Sequence, residues 1–83
     1  MSFHYLYVLV NLDDQRTYIG YTNDLSRRMA EHKRRHKKGK IRKHIELIYF
    51  EAYKSSTKAR KREISLKKSS WHKKQLFNRI FDQ

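Results

Sequence analysis

Apolar residues in this chain gather in short blocks of differing period, and those periods divide it into elements. Residues 3–10, FHYLYVLV, are dense in aromatic and β-branched side chains and too short for a helix of their own. They read as a strand covered on both faces for much of its length. Turn formers follow at residues 11–15, and residues 16–21 read as a second strand that closes a hairpin on the first. Side chains alternate along a strand, so Tyr5 and Tyr7 share a face of the first, as Tyr18 and Gly20 do on the second. A hairpin centred near residues 12 and 13 sets Tyr7 opposite Tyr18, and a slip of one residue would separate them.

Asp24, after Thr22 and Asn23, offers a capping side chain just before Leu25. Leu25, Met29 and His32 then recur at helical spacing, which predicts a helix to about Arg35. Arg28 and His32, four apart, are neighbours on its surface. Residues 36–44 are basic with almost nothing to bury and read as a loop, and residues 46–53 as a third strand. Ser55, Ser56 and Thr57 can cap a helix over 57–68, and Ser69-Ser70 punctuates. A last short helix spans 71–81, with Trp71, Leu76, Phe77, Ile80 and Phe81 as its apolar residues. The expected fold is α+β, a three-stranded antiparallel sheet flanked by helices in the order β-β-α-β-α-α, with residues 1–83 forming one domain.

A chain of 83 residues has a small core, and a domain of this size buries only about 60% of its unfolded surface. With no cysteine, neither disulfides nor a thiolate zinc site can add stability, and six Tyr, four Phe and one Trp compensate through large buried areas. Lys and Arg total 21 against eight Asp and Glu, a net charge of +13. Such a charge calls for a polyanion, because cationic side chains displace counterions condensed on a phosphate backbone. Charge and aromatic content together favour nucleic acid. An anionic membrane is disfavoured, since no long helix pairs a basic face with a broad apolar one. No stretch has a signal peptide's apolar segment and none reaches the roughly 18 apolar residues of a membrane span. A cytoplasmic protein, monomeric or weakly dimeric, is the expectation.

Glu63 is the odd residue of the C-terminal third. Ten Lys or Arg fall between Lys54 and Phe81 and only this one acid, on a stripe with Ala59 and Leu66 that should face inward. An acid there is costly unless it is paired or holds a cation. A salt bridge to Arg60, Lys67 or a strand residue, or a metal ion, would each satisfy it. Arg28 alone reads equally as a solvated surface charge, His32 as a packed histidine, and Tyr7 and Tyr18 as core and edge filler. His32 and His36 have zinc-ligand spacing, but no third ligand accompanies them.

Taken together, Tyr7, Tyr18, Gly20, Arg28, His32 and a later Glu63 resemble the GIY-YIG nuclease superfamily. Tyr5-Leu6-Tyr7 stands for the first half-motif, with Tyr5-Leu6 in place of Gly-Ile, and Tyr18-Ile19-Gly20 matches the second in full. Tyr7 to Tyr18 is 11 residues and Tyr18 to Arg28 ten, both within the family's usual range. Leu25-Ser26-Arg27-Arg28 ahead of His32 looks like the family's first helix, and Arg62-Glu63 like its metal-binding glutamate. The similarity covers nearly the whole chain. It is closest to short stand-alone bacterial members, which consist of an excinuclease-C-type nuclease domain alone. Some members carry a lysine directly after the second glycine, where this chain has Tyr21, so that lysine's role does not carry over.

The resemblance implies a metal-dependent endonuclease acting on DNA rather than RNA, directed by structure more than by sequence, with DNA repair as its setting. It assigns Glu63 as the protein ligand of Mg2+ or Mn2+, the ion stabilising the leaving 3′-oxygen. Arg28 would fork onto the non-bridging phosphate oxygens. Tyr7 or Tyr18 would position or deprotonate the attacking water, and His32 would take the tyrosine's proton or contact phosphate. Arg27 and the basic run Lys33, Arg34, Arg35, Lys37, Lys38, Lys40, Arg42 and Lys43 would track the nucleic-acid backbone. Two other readings share the charge: a non-catalytic nucleic-acid-binding module on the same fold, and a basic protein on ribosomal RNA.

Overall fold

The aromatic and β-branched block at the start of the chain becomes the middle strand of the sheet. In the computed structural model, which describes residues 3–36 and 45–81, β1 (His4–Asn11) lies between β2 (Thr17–Thr22) and β3 (Ile45–Tyr53) and is antiparallel to both. The helices are α1 (Leu25–His36), α2 (Ser56–Lys68) and α3 (Ser70–Phe81), so the element order is the expected one. A middle strand with helices on both sides of the sheet leaves neither face to water, and Leu6 to Val10 are all buried. Leu6 and Val8 meet Leu66 and Leu76, with Ile19, Ile48, Tyr49, Phe77 and Ile80 around them. This is the core, on the α2–α3 side. Tyr7 and Leu9 alternate to the other side, under α1.

Not every apolar residue of α3 is buried. Trp71 and Phe81 stand 64% and 54% exposed at the two ends of α3, while Leu76 at its centre is buried. Among the described residues no helix is long and apolar enough to cross a membrane.

The hairpin differs from the expected register by two residues. Tyr7 pairs with Gly20, and Tyr18 with Leu9. The cause is a longer turn, in which the Asn11 side chain accepts from Asp13 N and the Asp14 side chain from Arg16 N, each at 2.9 Å. Gln15, at φ 62°, then carries the chain through the left-handed region. An even shift preserves the face, so Tyr7 and Tyr18 still lie on one side of the sheet.

Two caps place the helices. Asp24 Oδ1 accepts from Arg27 N at 3.1 Å while Thr22 Oγ1 accepts from Asp24 N at 3.1 Å, so α1 starts at once after β2. Ser55 Oγ accepts from Lys58 N and starts α2. A polar clamp then ties α2 to β3. Glu51, 15% exposed, receives both Nε and Nη2 of Arg62, at 3.0 and 3.2 Å, and the hydroxyls of Tyr49 at 2.6 Å and Tyr53 at 2.5 Å. Burial alone would raise the Glu51 carboxyl, but Arg62 and the two phenols outweigh it and hold it below the usual carboxylate range. The clamp orients the helix that carries Glu63.

Candidate active site

Three of the expected site residues meet in one cluster. The Tyr7 hydroxyl accepts a hydrogen bond from Arg28 Nε at 3.2 Å and lies 3.0 Å from His32 Nε2. The Tyr7 and His32 rings meet edge to face, with centroids 5.8 Å apart. One turn of α1 separates Arg28 from His32, so the helix delivers both to one phenol. Gly20 makes the approach possible: the Tyr7 ring lies across its Cα, and a Cβ there would overlap the ring and hydroxyl. The glycine of the second half-motif therefore serves the tyrosine of the first.

Glu31 belongs to the cluster as well, and the sequence reading passed over it. Its Oε2 accepts from Arg28 Nη1 at 3.1 Å and its Oε1 lies 3.8 Å from Arg27 Nε. Its i,i+3 and i,i+4 spacing from the two arginines was the available signal. The Arg28 guanidinium is held above its usual value, first by the Tyr7 hydrogen bond and charge, then by Glu31. Beside His32, a cleft of 300 Å³ runs between α1 and β3, lined by Leu9, Met29, Lys33, Ile45, Glu46 and Leu47.

Among the described residues Tyr18 and Glu63 make no hydrogen bond or ion pair to this cluster. Tyr18 is 39% exposed and lines a cleft with Thr17, Ile19, Lys67 and Lys73 at the edge of β2. Glu63 Oε2 accepts from Lys67 Nζ at 3.1 Å, so Lys67 links the acid to Tyr18's cleft. Ala59 and Leu66 of the inward stripe are fully buried, while the Glu63 side chain at its margin keeps 21% exposure. Among the described residues no cluster of three or more His, Cys, Asp or Glu could hold a metal. A lone, water-accessible carboxylate suits a hard cation that keeps most of its own waters.

Tyr21 faces the α2 side. Its ring stacks on His4, its hydroxyl is 2.8 Å from His4 Nδ1, and the Arg60 guanidinium lies 4.7 Å from its centroid. Of the expected backbone-tracking residues, Arg27 and Lys33 are exposed on α1. The side chains of Arg34 and Arg35, and all of Lys37, Lys38, Lys40, Arg42 and Lys43, lie outside the described residues.

Comparison with known proteins bears on the same elements. Residues 3–78 match the family model described as the GIY-YIG catalytic domain. The UPF0213 protein YazA of Bacillus subtilis is 37% identical over 76 residues, covering 89% of this chain and 76% of its own length. A UPF0213 protein of Listeria welshimeri is 41% identical over 69 residues, covering 81% of this chain and 76% of its own. The solution NMR structure of a UPF0213 protein from Bacillus halodurans has a TM-score of 0.58 to this chain at 32% identity, covering 92% of this chain and 83% of that one.

Proposed function

The chain belongs to the GIY-YIG family, and on that footing we propose that it is a divalent-metal-dependent endonuclease that hydrolyses phosphodiester bonds in DNA, selecting its substrate by structure rather than sequence. The observation that carries this reading is the Tyr7 hydroxyl shared between Arg28 and His32. An arginine only donates, so the phenol oxygen accepts from Arg28 and has its own proton left to donate to His32 Nε2 in the tautomer that leaves that nitrogen bare. A proton leaving Tyr7 thus has a destination, and the phenolate left behind sits beside a permanent cation. Of the two tyrosines, Tyr7 is therefore the general base that takes the proton of the attacking water. Tyr18 contacts substrate.

Arg28 has a second task. With Nε on Tyr7, its Nη groups are available to non-bridging phosphate oxygens once Glu31 yields Nη1. Glu63 would hold Mg2+ or Mn2+, which supplies Lewis-acid stabilisation of the leaving 3′-oxygen. Replacing Arg28 by Lys is expected to slow cleavage by ~10²-fold or more, because one ammonium cannot hold the phenol and fork onto phosphate together. Single-turnover rates check this, and a change of only a few-fold would remove Arg28 from the reaction.

A non-catalytic nucleic-acid-binding module is the second reading, and one observation favours it: Arg28 and Glu63 both have internal partners, Glu31 and Lys67. Labelled duplex, single-stranded, nicked and branched DNA and matching RNA, each incubated with Mg2+, with Mn2+ and with chelator, decide between them. Metal-dependent products establish the nuclease and name its substrate. Binding without products under every condition establishes the module.

A further inference from the structure

The cleft at the edge of β2 holds two lysines to which the reaction just described assigns no role. Thr17, Tyr18 and Ile19 form one wall and Lys67 and Lys73 the other, around a volume of 350 Å³. Its two lysines come from different helices, α2 and α3, so the fold and not a run in the sequence brings them together. None of the five lining residues is acidic. Both ammonium groups have only weak engagements. Lys67 reaches Glu63 in an exposed i,i+4 pair, and Lys73 Nζ stands 5.6 Å over the Phe77 ring. A phosphate oxygen, with full charge and room for several donors, competes well against either.

We propose that this cleft is a backbone subsite for the nucleic-acid substrate, in which Lys67 and Lys73 each contact a phosphate of the strand beside the cut. Its place in the fold supports a polymer over a small anion. Tyr18 on its wall lies two residues along β2 from Gly20, on which Tyr7 packs, a span of about 7 Å. The lysines lie on the α2–α3 side of the sheet and the Tyr7–Arg28–His32 cluster on the α1 side, so a strand that rounds the edge of β2 can meet both. The identity of the ligand rests on the nuclease reading; the convergence of two cations does not.

The test is binding of labelled single-stranded and nicked DNA in chelator, over a salt titration, by three proteins. These are wild type, the double variant Lys67→Gln/Lys73→Gln, and the double variant Lys68→Gln/Lys74→Gln. The last removes the same charge from the same two helices at exposed positions outside the cleft. The cleft variant is expected to lose affinity ~10-fold or more near 0.1 M salt and to flatten the slope of log K against log salt by about 1.4–1.8, one counterion-release increment per lost phosphate contact. The control is expected to stay within ~2-fold of wild type, with its slope nearly unchanged. Equal losses in both variants, or none in the cleft variant, overturn the subsite. So does inorganic phosphate that binds wild type in a Lys67- and Lys73-dependent way while DNA affinity ignores both lysines. Cleavage measured in parallel separates the two ideas: lysine-dependent binding by a protein that never cuts upholds the subsite and sinks the nuclease, whereas cutting with indistinguishable variants sinks the subsite alone.

Discussion

A Tyr7→Phe protein is expected to bind nucleic acid as wild type does and to cleave it ~10²–10⁴-fold more slowly, the usual worth of a general base. The substitution keeps the ring that packs on Gly20 and removes only the oxygen that Arg28 and His32 share. The fold should therefore persist while the proton path from water to His32 disappears. Arg28 would keep its bond to Glu31, so a drop in rate reports the lost base more than a displaced guanidinium. Tyr18→Phe, at a half-exposed position with neither partner, should cost less than ~10-fold. Single-turnover rates with saturating protein read both. The reverse ranking, with Tyr7→Phe nearly active and Tyr18→Phe dead, would move the base to the second tyrosine.

Glu51→Ala is expected to give the largest loss of stability. It leaves the Arg62 guanidinium, 27% exposed, without its bidentate partner and two phenols without their acceptor. Removing one member of a buried pair costs about 3–5 kcal/mol, and partial exposure lowers that to ~2–3 kcal/mol here. For a domain of this size the melting temperature should fall by roughly 10–20 °C. Replacing Glu51 and Arg62 together by Leu should cost much less, since no orphaned charge remains.

The same clamp sets a pH window. Glu51 is held below its unfolded value, so its contribution is present above the ordinary Glu pKa of about 4.3 and is lost as pH falls through the lower folded value. Tyr53 shifts the other way, pushed up to about 12 by burial and then by Glu51, so its contribution is present below about pH 10 and is lost as pH rises toward 12. Thermal melts across pH should show a plateau with an acid and an alkaline limb. Glu51→Ala should weaken both limbs, since Glu51 is part of the cause on each side.

Elements whose cause is local were legible in the sequence. The run from Leu6 to Val10 needed only its density of apolar residues to read as a buried strand, and Asp24 and Ser55 mark helix starts by their side chains alone. Arg28 and His32 were paired by helical spacing, and they do meet on one phenol. What depended on distant or unusual geometry was not legible. The hairpin register turned on Gln15 adopting positive φ, for which glutamine has no preference. The clamp joins Glu51 to an arginine eleven residues on, across a strand-to-helix corner. Lys67 and Lys73 converge only because α3 folds back beside α2 and the edge of β2. Glu63 kept both of its readings: it is paired with Lys67, and its carboxylate remains open to water.

Metal-dependent hydrolysis at this site is tested most directly by the Glu63→Gln protein beside wild type. Each is given one labelled substrate with Mg2+, with Mn2+ and with chelator, and its binding isotherm is measured in parallel. Wild type is expected to yield products with either metal and none with chelator, and Glu63→Gln none at all, with affinity equal to or tighter than wild type. Products that persist in chelator, or that form equally with Glu63→Gln, would contradict a metal held by Glu63.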